Sequence, residues 1–417
     1  MRGASILLAL LLLLLAFPGG GARRAAASPA AETHLGAGSC AAQACHGSHP
    51  ERMEYKTWKT KDRHSRAFES LDGPAGRRIG KRLGIDPTKS EQCLCCHGTT
   101  GVELAPSFDA VDGVSCELCH GGASQWLGPH ATAAWKEMAP AQKASLGMRD
   151  LSTPEARAQA CVGCHLGAGG REIPHRIMAA GHPALTFDAA YHIARMPPHW
   201  TGEASPVALW VASLRVAATT SLERTARAAH LRTGWPEFGV FDCHACHHPI
   251  HSGSAYEQGP LPGGPGDLPL DVAELRVLLV ALGDKGMLER YAGLLSRTLR
   301  PDEQQRDFAA YVDLMGAEVR GLFADVDRYG PADARRFREN LAAHVDRALS
   351  GEVRVPPHEM QQIAMAIASL APARGQAPFE EAHARLMDSL RPGRPYDLAA
   401  AAKAAQEAFA KAEGGGR

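Results

Sequence analysis

The sequence predicts a mainly α-helical chain in two chemically different parts. The first is rich in cysteine and histidine, with short helices and little regular sheet. The second is a C-terminal α-helical bundle. Three observations predict this. All 11 cysteines and 17 of the 20 histidines precede residue 252, and the remaining 166 residues keep only His344, His358 and His383. Almost no stretch alternates apolar and polar residues with period two, which leaves little material for sheet. Beyond residue 269 apolar residues recur at helical spacing between Gly and Pro breaks. A chain of 417 residues with 45% apolar and 22% charged residues can bury a large core and is not disordered. Lys+Arg 45 balances Asp+Glu 45, which excludes a nucleic-acid binder working by broad basic attraction.

Residues 1–27 read as an export signal. Arg2 precedes a 12-residue apolar run, Ile6 to Phe17, which ends at Pro18 and three glycines. The run suits a signal peptide and is too short for a membrane span of ~20 residues. Small residues allow cleavage after Ala22 or after Ala27. Cleavage after Ala27 removes three arginines and no acid, leaving 42 basic and 45 acidic residues and no membrane span. The expected location is the periplasm or outside the cell.

Residues 28–256 form the Cys-rich part. One helical pattern runs from Pro50 to Leu71, where His64, Phe68 and Leu71 share a face; a second runs from Pro206 to about Leu231. Residues 257–269 are dense in Gly and Pro and read as a linker. In residues 270–417, Asp271 and Glu274 precede a stripe of Leu275, Leu278, Leu279 and Leu282. Further helices are expected near Met287, Asp302, Ala332, Pro357, Pro378 and Tyr396. Seven short amphipathic helices read as a bundle or a helical-hairpin array.

The chemistry lies in five motifs. Cys93–Cys96–His97, Cys116–Cys119–His120, Cys161–Cys164–His165 and Cys243–Cys246–His247 each have the form C-x-x-C-H. Cys40–Cys45–His46 has four residues between its cysteines. C-x-x-C-H is the attachment pattern of c-type haem. Two thiols add to the two vinyl groups of the porphyrin, and the next residue turns its imidazole to the iron. Paired cysteines also bind zinc or form disulfides, but neither needs a histidine directly after the second cysteine. Five such coincidences would arise by chance on the order of 10⁻⁷. The expected cofactor is therefore haem c, five copies, with His46, His97, His120, His165 and His247 as proximal ligands. The eleventh cysteine, Cys95, is either a small buried residue or a reactive thiol.

Each iron has a second axial position. Twelve further histidines lie in this part: His34, His49, His64, His130, His175, His182, His192, His199, His230, His244, His248 and His251. His64 shares a helical face with apolar side chains, so its buried imidazole needs a partner. His130 lies ten residues beyond His120, close for a loop around the same haem, so a neighbouring haem is its expected target. His182 and His199 follow, then His34 and His175. Two axial imidazoles give a saturated iron suited to electron transfer, whereas an empty position admits a small ligand.

The sequence resembles the cytochrome c-554/c-prime family of multihaem c-type cytochromes over about residues 34–251. The resemblance rests on HLGAGSCAAQACHG, WKTKDRHSRAFESL, CLCCHG, GVSCELCHGGASQWLGPH, CVGCHLG, AGHPALTFD and DCHACHH. It implies a haem-packed fold that carries electrons between periplasmic or extracellular partners. It also implies that His64 serves the haem of the third motif and His130 that of the first. The chain departs in having a fifth haem motif, no C-x-x-C-K motif and a long haem-free helical part. The leading function is an exported pentahaem electron carrier with redox protein partners. The alternative is a reductase or oxidase of small nitrogen or sulfur compounds with one open iron. Residues 270–417 dock a partner or act as a stabilising lid.

Overall fold

The computed structural model describes residues 33–48, 51–198, 205–230, 236–247, 269–283, 328–391 and 395–413, with isolated residues between 286 and 320. The signal segment, His49, His199, His248, His251, nearly all of the linker and the helices expected near Met287 and Asp302 lie outside the described residues. The described chain is mainly helical. Its one sheet is a parallel pair of two-residue strands, β1 (Thr33–His34) and β2 (Glu103–Leu104).

Helices in the Cys-rich part are short: α1 (Glu54–Lys61), α2 (Glu69–Asp72), α3 (Pro74–Leu83), α4 (Glu91–His97) and α5 (Cys116–His120). They continue as α6 (Ala133–Glu137), α7 (Pro140–Ser145), α8 (Pro154–His165), α9 (His175–Ala179) and α10 (Ala189–Ile193). Local chemistry sets several of the ends. Thr153 caps α8 by accepting the Ala156 amide, and Pro154 starts the first turn where no donor is needed. Gly84, at φ +70°, closes α3 in the left-handed region.

The helix expected from Pro50 to Leu71 is broken. Asp62 leaves helical geometry, and its Oδ1 accepts the His64 amide at 3.0 Å, starting a separate 3₁₀ turn over Arg63–Arg66. A carboxylate that satisfies a local amide competes with helix continuation. The break turns His64 away from the line of α1.

The second pattern holds. Helix α11 (Pro206–His230) buries Trp210 and Leu214 completely. It packs between α8 and the C-terminal helices α12 (Ala273–Leu282), α13 (Pro331–Leu349) and α14 (Pro357–Leu370). Helices α15 (Ala377–Ser389) and α16 (Leu398–Ala412) complete the bundle. Leu275, Leu278 and Leu279 are buried as the stripe predicts. Glu274 is not a surface cap: it is fully buried and accepts from Gln362 at 3.2 Å.

Burial is uneven. One large apolar cluster joins α11 to the bundle, whereas the Cys-rich part holds only small clusters, such as Ala123, Trp126 and Trp135. Beside this apolar cluster, polar contacts also join the two parts. The Asp242 amide donates to Pro269 O at 2.9 Å, and the Asp271 amide to Val240 O at 3.2 Å. His358 of α14 lies 2.7 Å from Asp271 and 3.5 Å from Glu274. Burial opposes charge on His358, but these two carboxylates outweigh it and hold its pKa at about 9.

Candidate functional site

In α4, α5 and α8 the C-x-x-C-H motif forms the last turn of a helix. Residues i, i+3 and i+4 share one face there, so both thiols and the imidazole point the same way. The fifth motif uses a 3₁₀ turn over Cys243–Ala245, with Asp242 accepting the His244 amide at 2.9 Å. The first motif uses a wider turn over Gln43–Gly47, in which Cys45 is non-helical, so its two extra residues are taken up locally. Gly121 follows the third motif at φ +86°, where a Cβ would lie 2.0 Å from Gly147 O. Only glycine lets the two segments approach this closely.

The motifs lie against one another. The Cys40 thiol lies beside that of Cys116, and the Cys96 thiol beside that of Cys164. The first motif therefore abuts the third, and the second abuts the fourth. The His64 carbonyl accepts the Val114 amide, just before the third motif, at 3.0 Å.

Four of the five proximal histidines face a non-motif histidine. Ring centres lie 6.2 Å apart in His46–His130, 6.4 Å in His97–His182, 5.9 Å in His165–His64 and 6.1 Å in His247–His175. A metal–imidazole bond of about 2.0 Å, with the ring centre about 1.1 Å further out, puts two rings on opposite sides of one metal roughly 6.2 Å apart. Rotation of either ring about that axis keeps the spacing, so parallel and perpendicular pairs both fit. The nitrogen not needed by a metal is already engaged in most of these rings. Nδ1–H donates from His46 to Glu54 at 2.7 Å, from His64 to Asp62 at 2.9 Å and from His97 to Ala67 O at 3.1 Å. It donates from His182 to Pro183 O at 2.8 Å and from His130 to Leu127 O. These acceptors fix the tautomer that leaves Nε2 bare for a metal. Burial, reinforced by His64, His192 and His97, pushes the His165 pKa down to about 4, so its ring is neutral at pH 7.

The resemblance assigned His64 to the third motif; the structure instead sets its ring against His165 of the fourth. His34 is buried on β1. His192 was not among the favoured candidates, yet its ring lies 6.2 Å from His165, and its Nδ1–H donates to Asp188 O at 2.8 Å. The four-residue step from Asp188 to His192, across one turn of α10, was the available signal. Cys95 is partly buried, with its thiol 3.4 Å from Gln92 O and 3.8 Å from the Cys96 sulfur.

Other residues hold the motifs in place. Glu117, nearly fully buried inside the third motif, accepts the Leu35, Gly36 and Ala123 amides, each at 2.8 Å. It ties the third motif to the segment that leads into the first. Glu117→Ala strands three buried donors. At about 1–3 kcal/mol each, a loss of at least about 3 kcal/mol is expected in denaturant unfolding of the holoprotein. Glu237 accepts the His175 amide at 2.7 Å and the Gly239 amide at 2.9 Å, which holds His175 beside the fifth motif.

These residues fit haem c. All eleven cysteines are free thiols, so each motif has both sulfurs available. Among the described residues no three His, Cys, Asp or Glu side chains converge as a bare metal ion requires, so the zinc reading gains nothing here. A cavity of about 1130 Å³ opens on Cys243, Cys246 and His247 and is walled on its far side by Gln361, Met365, His383 and Tyr396.

No described helix is long and apolar enough to cross a membrane. Neither the curated proteins nor the solved structures yield a match to this chain. Residues 40–121, which hold the first three motifs, match the family described as cytochrome c554 and c-prime. Over residues 40–121 the chain is thus similar to a family of c-type cytochromes, and the paired imidazoles and free cysteine pairs fit covalently bound haem.

Proposed function

We propose that the protein is an exported pentahaem electron carrier. The carrying observation is the set of four proximal imidazoles that each face a second imidazole 5.9–6.4 Å away. Haem c, when bound, supplies one-electron chemistry between two stable iron states. The residues do the rest. Ten cysteines fix the cofactors: Cys40, Cys45, Cys93, Cys96, Cys116, Cys119, Cys161, Cys164, Cys243 and Cys246. His130, His182, His64 and His175 would each supply a second imidazole to the haem held at the first, second, fourth and fifth motifs. The carbonyl and carboxylate acceptors on Nδ1 of His130, His182 and His64 hold those three rings ready, so changing oxidation state would need little rearrangement there.

The contacts between motifs support a branched order. The first site touches the third through Cys40 and Cys116, and the second touches the fourth through Cys96 and Cys164. His64 joins the third to the fourth. His192 stands 6.2 Å from His165 and also lines the cavity at the fifth motif. The third and fourth motifs therefore lie between the first and the fifth. Redox proteins in the periplasm or outside the cell are the partners this reading requires.

Mass spectrometry of the denatured holoprotein tests the reading. The expected mass is the processed chain plus five haems, with cleavage after Ala22 or Ala27. A mass with four haems would remove the Cys40–Cys45 site, and a mass with none would remove the function.

A further inference from the structure

We propose that the basic surface beside the first motif is the docking site for an acidic one-electron carrier protein, which exchanges electrons through the first haem. The inference rests on the electron-carrier reading and adds the port and the chemistry of the partner.

Three observations place the port. Cys45 of the first motif is exposed, as are Cys243 and Cys246 of the fifth, whereas the cysteines of the second, third and fourth motifs are not; of the two exposed motifs the first is the one with a basic helix against it. A cofactor attached there has an edge close to solvent. His46 donates to Glu54 at 2.7 Å, so α1 lies directly against this motif. Any protein covering α1 therefore covers the approach to the first haem.

The charge along this stretch is mainly basic, with exposed Asp109 the acid that faces Lys59 from the neighbouring segment. Between residues 51 and 66 all six basic residues are exposed: Arg52, Lys56, Lys59, Lys61, Arg63 and Arg66. The acids of the same stretch do not offset them. Asp62 is buried under His64, Glu54 is turned to His46, and only Glu51 is exposed. Lys59 is committed, bonded to Asp112 at 2.9 Å. The other five carry no ion pair to a described residue. In a chain with 45 basic and 45 acidic residues overall, this is a local excess.

The surface also carries apolar side chains. Met53, at the start of α1, is 43% exposed, and Val111, next to the Asp112 that holds Lys59, is 51% exposed. Apolar contacts ringed by charge are the usual composition of a transient protein interface. A lipid surface or a nucleic acid would also meet the cations, but neither accepts an electron. The cations steer an acidic partner towards the exposed edge and raise its rate of encounter.

The test uses the holoprotein and the double variant Lys56→Glu, Lys61→Glu. Neither residue touches a proposed haem ligand. Reduced flavodoxin is the acidic protein probe: its flavin hydroquinone gives one electron to a ferric haem and becomes the semiquinone. Hexaammineruthenium(II), a small cation, is the control reductant, and stopped-flow absorbance reads both rates. The flavodoxin rate is expected to fall about tenfold or more in the variant, and also in the parent protein at high salt. The ruthenium rate should hold or rise. Should the variant lose haem, Lys56→Gln, Lys61→Gln removes the charges more gently and must show the same direction.

A flavodoxin rate that is unchanged by both substitution and salt overturns the docking surface. So does charge-dependent binding to phosphatidylglycerol vesicles while the flavodoxin rate is unmoved, which would assign the surface to a membrane. Haem content and reduction by dithionite, measured on the same samples, separate the two readings. Intact, reducible haems with a charge-blind rate overturn only the port, whereas a haem-free parent protein overturns the carrier itself.

Discussion

Produced in cells that lack cytochrome c maturation, residues 33–198 should be digested to completion under conditions in which α11–α16 survive. The buried apolar side chains are concentrated around α11 and the bundle, while the Cys-rich part has only small clusters. The helices of residues 33–198 run from 4 to 12 residues. Helices that short are marginal in water without tertiary packing. The apolar mass that would pack them is the cofactors themselves. Limited proteolysis with mass spectrometry of the fragments checks this. Protected fragments from residues 33–198 in the haem-free protein would show that the polypeptide supplies its own core.

Replacing His130 should alter one haem and leave the others alone. Its ring stands 6.2 Å from His46, and its Nδ1–H is engaged by Leu127 O, so only Nε2 can serve a metal. His130→Met keeps a ligand of similar reach but exchanges an imidazole for a thioether. His/Met ligation raises the reduction potential of a haem relative to two imidazoles. One of the five couples should therefore move upward in a potentiometric titration, and one low-spin bis-His signal should vanish from the paramagnetic resonance spectrum. His130→Gly should give a high-spin signal at the same haem. Unchanged spectra in both variants would mean that His130 is not a ligand.

The turns over Cys93–His97, Cys116–His120 and Cys161–His165 were legible in the sequence because their geometry is local: spacings of three and four residues place thiols and imidazole on one helical face. The bundle was legible for the same reason, since Leu275, Leu278 and Leu279 follow the helical period. The pairing of imidazoles was less legible. His64 and His165 are 101 residues apart in the chain, and no periodicity links them. The helix through residue 62 was misread because Asp62 had two roles open to it, and binding the His64 amide and ring prevailed over extending the helix. Glu117 gave no sign that it would gather three amides from segments up to 82 residues away. His192 was passed over because a five-residue helix carries too little pattern to show which way a ring points.

The seam between the two parts bears on how the molecule is made. The chain emerges from the ribosome with the fifth motif ahead of residues 269–271, which later pair with the segment leading into it. Cys243 and Cys246 nevertheless stay exposed in the closed fold, and Cys243 lines the same open cleft as Asp271 and His358. The C-terminal helices can therefore close on the segment before this motif while its two thiols remain within reach from outside. Attachment at Cys243 and Cys246 and folding of the bundle need follow no fixed order.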